Sequence, residues 1–187
     1  MAKAAQYRRA QAGDYPQILQ LQSDNYIANL TEEERKSGFL SAQFSLEQTA
    51  QIAGDLGITI GVLDDRVAAF LCAFRNEFPS GSPVIAEMLL NYPVFRFEDR
   101  SLSSFTSYIY GPVCIARECR GRGLLRGLYE AQRKDLAGRF EIGVAFVSRS
   151  NAHSLRAHVQ GLGMMEVGDF EVGANRYAAL AFRVPPR

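Results

Sequence analysis

Residues 119–127, "CRGRGLLRG", constrain the fold more than any other stretch, because Gly121 and Gly123 interrupt the chain between two well-patterned elements. Before them, "SYIYGPVCIA" at 107–116 reads as a β-strand. After them, Leu124, Leu125, Leu128, Tyr129 and Leu136 share one face of a helix, and Gly138 is placed to end it. The apolar run "IGVAFV" at 142–147 then reads as a second strand. A strand, glycine loop, helix and strand in this order predict a mixed α/β chain. Arg120 and Arg122 beside the glycines leave two readings: a solvated basic turn, or a backbone cradle for phosphate at a helix start.

Two familiar phosphate motifs do not fit. The glycines fall at 121, 123 and 127, which is G-x-G-x-x-x-G and misses the dinucleotide register. The following strand carries no acidic residue for a ribose, and no Gly-Lys-Ser/Thr follows as a P-loop requires. Net charge is only +1, so no whole-molecule field attracts nucleic acid or anionic lipid, and an anion site has to be local.

The remaining sequence is that of one folded domain, expected to span residues 1–187. Apolar residues make up 47% and charged residues 22%, which excludes a wholly disordered or collagen-like chain. Cys72, Cys114 and Cys119 are odd in number and lack metal-type spacing, so neither a disulfide framework nor a metal site is expected. The segment "MAKAAQYRRAQ" lacks a signal-peptide core and no run of eighteen apolar residues occurs; a cytoplasmic protein without membrane contact is the expectation.

Along the first half, a short strand is expected at Tyr7 to Ala10, then a helix over "AGDYPQILQLQSDNYIANL" with Asp14 as its cap. "TEEE" at 31–34 and "SLEQ" at 45–48 match capping boxes and predict two further helices. Residues 58–74 read as a hairpin turning at Asp64-Asp65. Residues 75–104 form a long excursion with a helix near Ile85 to Leu90, of a length often used for lids or walls. Near the end, a helix is expected from Ala152 to Gln160, then two strands around Gly173 to Asn175.

The loop resembles the acetyl-CoA-binding segment of the GNAT superfamily of N-acetyltransferases, Arg/Gln-x-x-Gly-x-Gly/Ala between a strand and a helix. Arg120, Gly121, Arg122, Gly123, Leu124 and Leu125 occupy its six positions, and Leu125 departs from the usual glycine or alanine. A second element, "NAHSLRAH" at 151–158, is similar to the family's Asn-x-x-Ser/Ala-x-x-x-Tyr, with His158 in the tyrosine position. Leu162-Gly163-Met164 stands for the usual Leu-Gly-Phe, one residue later than expected. The resemblance covers residues 105–187 motif by motif and the first hundred by element order.

The resemblance implies a GNAT-like single domain: a central, twisted, mostly antiparallel sheet with splayed central strands, flanked by helices. Gly111-Pro112 suits the splay, since proline cannot donate to a ladder. It further implies acetyl-CoA as co-substrate, with Val113, Cys114 and Ile115 pairing along its pantetheine arm, residues 120–125 under its pyrophosphate, and Asn151 and Ser154 on the cofactor side. A homodimer is compatible with the family. Direct transfer to a primary amine of a small molecule or peptide is the implied reaction.

Among side chains, His158 is the positional candidate for protonating the thiolate, against the alternative of a packed helical histidine. The general base stays open between Glu77, Glu87, Tyr110 and ordered water. Family members that acetylate protein N-termini often carry a glutamate five residues before the motif asparagine, and here that position is Phe146. A CoA-binding regulatory module without turnover is the competing expectation. Nothing in the sequence pairs a cysteine with an activating base, so an acetyl-cysteine route is not expected.

Overall fold

The computed structural model describes residues 4–187. In chain order the regular elements are β1 (Gln6–Arg9), α1 (Tyr15–Asp24), α2 (Glu32–Arg35), α3 (Leu46–Asp55), β2 (Gly57–Leu63), β3 (Arg66–Arg75), α4 (Pro83–Leu90), β4 (Arg96–Phe97), β5 (Arg100–Ser101), β6 (Ser107–Ile115), α5 (Leu124–Asp135), β7 (Ile142–Ser148), α6 (Ala152–Arg156), β8 (Met165–Val172) and β9 (Asn175–Arg183). Seven of the strands make a mostly antiparallel sheet with flanking helices. The described residues divide into two compact units, one of residues 4–74 and 111–135, the other of residues 75–110 and 136–187; β6 contributes to both.

In the first unit the strand order is β1-β2-β3-β6. Asp64 and Asp65 both take positive φ (48° and 61°), giving the two-residue mirror-image turn that a right-twisted hairpin needs. Both capping boxes form as expected: Thr31 accepts from the Glu34 amide, and Ser45 from the Gln48 amide. Helix α5 packs on β1 and β2, burying Leu124 and Leu128, each worth about 1.5–3 kcal/mol of removal from water.

The first helix is shorter than the apolar stripe predicts, ending at Asp24 instead of continuing through Tyr26 and Ile27. Asn25 stops it: its side-chain amide takes the Leu21 carbonyl, its own carbonyl takes the Leu40 amide, and Tyr26 then bridges to Leu40. Asp14 stands at the cap position without capping the helix by its side chain. Its carboxylate instead receives a two-pronged pair from Arg8 (2.7 and 2.8 Å) and the Gln11 amide (2.7 Å).

Those bonds, the Arg8 contact foremost, hold the Asp14 carboxyl below its ordinary value of 3.8. A depressed carboxylate stabilises the fold above that ordinary value and loses its contribution as pH falls through the folded-state value. Asp14→Asn is therefore expected to cost on the order of 1 kcal/mol at pH 7, since Arg8 is partly solvated, and progressively less below about pH 4. Melting temperatures of both proteins across this range measure it; a deficit that does not shrink with acid contradicts the assignment.

In the second unit the order is β6-β7-β9-β8. Strand β7 runs parallel to β6, but only Ser107, Tyr108 and Ile109 of β6 pair with it. Its antiparallel partner β9 pairs along the whole length of β7, from Ile142 with Arg183 to Ser148 with Tyr177. The excursion contains α4, as expected, together with the small hairpin β4-β5, whose turn uses Glu98 and Asp99 at positive φ. Arg183 anchors that hairpin by pairing with Glu98 and lying over the Phe97 and Phe105 rings.

Candidate functional site

The first unit carries the glycine loop. Leaving β6, Ala116 donates to the Ala68 carbonyl at 2.8 Å, and a single tight turn over Arg117–Cys119 leads to Arg120. Gly121 and Gly123 follow at φ of 72° and 80°, a conformation L side chains adopt only under strain. A Cβ at either would meet nothing within 4 Å. Backbone conformation, not crowding, requires glycine there, and the surrounding space is open.

Gly127 is a different case. A Cβ there would lie 2.0 Å from Tyr7 Cζ, so this third glycine lets α5 close on β1. The amides of Gly121 through Leu125 have no acceptor among the described residues. With the start of a 12-residue helix behind them, they are a run of unpaired donors at the positive end of the helix dipole.

The arginines also separate. Arg120 is half-buried, and its guanidinium is committed to the Ser37 carbonyl (2.7 Å) and Asn25 Oδ1 (2.8 Å), with Nε reaching the Ile115 carbonyl (3.4 Å). Arg117 pairs with Glu34 and donates to the Asp24 carbonyl. Both arginines thus fasten the loop to the segment following α1. Arg122 is exposed and has no bond or ion pair among the described residues, leaving its charge available to a ligand.

Arg120→Ala leaves the buried Asn25 side-chain oxygen and the Ser37 carbonyl without their donor and is expected to cost about 1.5–3 kcal/mol, as for hydrogen bonds to charged groups. Urea denaturation measures the loss; an unchanged midpoint sinks the strut assignment.

Val113, Cys114 and Ile115 lie on the last part of β6, beyond its pairing with β7. The Cys114 thiol is buried, faces the Leu21 carbonyl at 3.6 Å, and burial pushes it up to about 12. Such a thiol is not ionised near neutral pH and is a poor nucleophile.

The second unit carries the other element. Asn151 caps α6, its Oδ1 accepting from the Ser154 amide at 3.2 Å. After Arg156 the helix widens into a π-turn over residues 157–161 and stops at Gly163, whose φ of 75° lets Met164 donate back to the His158 carbonyl.

His158 sits in that turn with 3% of its surface exposed. Its Nδ1 lies 2.8 Å from the Ser154 carbonyl and its Nε2 lies 3.4 Å from Tyr110 Oη, the two rings meeting edge to face at 5.6 Å. Burial lowers its proton affinity below the ordinary histidine value, with the Ser154 contact opposing more weakly. The imidazole is accordingly neutral at pH 7. Tyr110 was one of three candidate bases in the sequence, but nothing local there marks its contact with His158, 48 residues away.

Phe146 lies on the opposite face of β7 from the Phe182–Tyr110 side and packs edge-on against Phe170 and Tyr177. It supplies no base. Of the remaining candidates, Glu87 sits on α4 accepting from Asn91 at 3.1 Å, and Glu77 is exposed. Among the described residues no cluster of His, Cys, Asp or Glu could hold a metal, and no helix is long and apolar enough to cross a membrane.

Solved structures share this architecture along almost the entire chain. The ribosomal-protein-S18-alanine N-acetyltransferase from Escherichia coli is 13% identical with a TM-score of 0.63, covering 98% of this chain and 96% of its own. This protein has the fold of the GNAT acetyltransferases. The GNAT-family acetyltransferase from Streptococcus pneumoniae is 12% identical with a TM-score of 0.62, covering 97% and 99% of the two chains. A chain of the NatC complex, solved with Gag peptide and CoA, is 11% identical with a TM-score of 0.62, again over 97% and 99%. No protein-family model and no curated protein matches the sequence. The mostly antiparallel sheet expected of a GNAT-like chain is present, with β6 leaving its parallel partner after Ile109.

Proposed function

We propose that this protein is an acetyl-CoA-dependent N-acetyltransferase that transfers the acetyl group directly to a primary amine of a small molecule or peptide. The observation that carries the reading is the row of amides from Gly121 to Leu125, without acceptors among the described residues, opening onto space at the start of α5. Polyphosphate is the ligand such donors recognise, because the amides and the helix dipole both favour negative charge. Arg122 adds a cation, while Arg120 holds the loop in shape. Backbone groups of Val113 to Ile115 would pair with the pantetheine arm as an added strand, and an amide there would polarise the thioester carbonyl at no reorganisation cost.

The non-catalytic alternative is favoured by two observations: an aromatic residue at position 146, and a His158 whose two nitrogens both face protein atoms. One experiment separates the readings. Acetyl-CoA is expected to raise the melting temperature, and a panel of polyamines, amino acids, aminoglycosides and peptides is assayed for thiol release. Release with at least one acceptor supports the enzyme, protection without any release supports the module, and no protection overturns both.

A further inference from the structure

We propose that Arg117 and Arg120 couple the glycine loop to residues 25–37, so that acetyl-CoA held on the loop also holds that segment closed; this rests on the acetyl-CoA reading above. All the groups involved belong to the first unit. Arg120 immediately precedes the amides of Gly121 to Leu125, and its guanidinium reaches two points of the segment, the Ser37 carbonyl at 2.7 Å and Asn25 Oδ1 at 2.8 Å. Arg117, in the turn leading into the loop, takes a third point, Glu34, and the Asp24 carbonyl at 3.3 Å just before the segment. These partners lie 83 to 95 residues away along the chain, too far for the loop's own sequence to mark them.

The segment is built to depend on such ties. From residue 26 to residue 40 only Leu30, Gly38 and Leu40 are buried. Its regular structure is the four-residue α2, a single tight turn over Ile27–Asn29 and an isolated bridge between Tyr26 and Leu40. Chain with so few buried apolar groups opens locally at low cost. Glu34 is set in place for Arg117, because the Thr31 amide binds its Oε2 at 2.7 Å and leaves Oε1 to the guanidinium. The Thr31 amide first, and then Arg117, hold its carboxyl down at about 2, so the pair stays charged at neutral pH and in mild acid.

Coupling follows from where the two arginines are rooted. A ligand on the amides of residues 121–125 fixes the backbone directly after Arg120 and narrows the positions from which both guanidinium groups reach out. Less freedom is then left to lose when they clamp residues 25–37, and the closed segment is favoured. By linkage, a ligand that binds only the closed segment tightens acetyl-CoA by the same factor.

Hydrogen exchange read by mass spectrometry tests the coupling. Saturating acetyl-CoA is expected to slow exchange over residues 119–127, and to slow it over residues 26–37 roughly ten-fold, within the usual range of coupling between sites. Glu34→Gln keeps the capping box, since glutamine also serves at that position, and removes the charge that Arg117 pairs with. It is expected to make the ligand-induced slowing over residues 26–37 smaller by about two- to five-fold, the size of an exposed ion pair, and to leave the slowing over residues 119–127 intact. The ratio of rates with and without ligand is the readout, because a pair that merely stabilises the segment raises exchange equally in both states. Arg117→Gln is expected to give the same reduction, and the double variant no more. Slowing over residues 119–127 alone, full coupling in Glu34→Gln, or reductions that multiply overturn the inference. No slowing at either place overturns the acetyl-CoA reading itself, and the coupling with it.

Discussion

Gly123→Val is expected to abolish the rise in melting temperature that acetyl-CoA gives the wild-type protein. At saturating ligand, about 100 times the dissociation constant, binding contributes about 2.7 kcal/mol, or roughly 5–11 °C for a chain of this size. Gly123 has φ of 80° and open space around its Cβ direction, so valine would be rejected by its backbone preference and not by a collision. That strain is of order 1–3 kcal/mol, enough to move the loop without unfolding the molecule. The amides of the loop then leave the arrangement that the two left-handed glycines impose. Gly54→Ala is the matching control: it lies in α3 with nothing near its Cβ direction and no positive φ, so it is expected to stabilise by up to about 1 kcal/mol and keep the full ligand shift. Full acetyl-CoA protection in Gly123→Val removes the cradle assignment.

Gly143→Val is expected to produce the largest loss of stability. A Cβ on Gly143 would lie 2.2 Å from Phe182 Cζ and 2.8 Å from its Cε atoms. Phe182 is buried between Tyr108 and Tyr110, with both rings edge-on at 6.1 and 5.5 Å, so it has no direction in which to withdraw. Overpacking of this kind costs about 3 kcal/mol, at the upper end of its usual range. The melting temperature should fall by roughly 6–12 °C, and Phe182→Leu in the same chain should recover part of it by opening room. A melting temperature within about 2 °C of wild type contradicts the packing argument.

Much of the local structure was readable from short-range patterns. The Asp64-Asp65 turn, the boxes at Thr31 and Ser45, and the strand, loop and helix from Ser107 to Asp135 appear where expected. The stripe through Tyr26 and Ile27 satisfies helical periodicity and points to a longer α1, whereas the Leu40 backbone that claims Asn25 and Ile27 cannot be seen from that stripe. Phe146 could be recognised as lacking a base, but its aromatic neighbours on β8 and β9 could not.

The sequence by itself determined where turns, caps and left-handed glycines fall, since those depend on groups within about four residues of each other. It therefore established the strand–loop–helix form of the candidate phosphate cradle. Only the tertiary structure decided what each side chain does with it. Gly127 proves to be a packing glycine because Tyr7 lies against it, and Arg120 a strut because Asn25 and Ser37 take its donors. His158 proves to be a buried residue held between Ser154 and Tyr110 because the turn carrying it packs against β6. Backbone conformation is a local equilibrium; the partner of a long or buried side chain is set by which distant segments the collapsed core brings within reach.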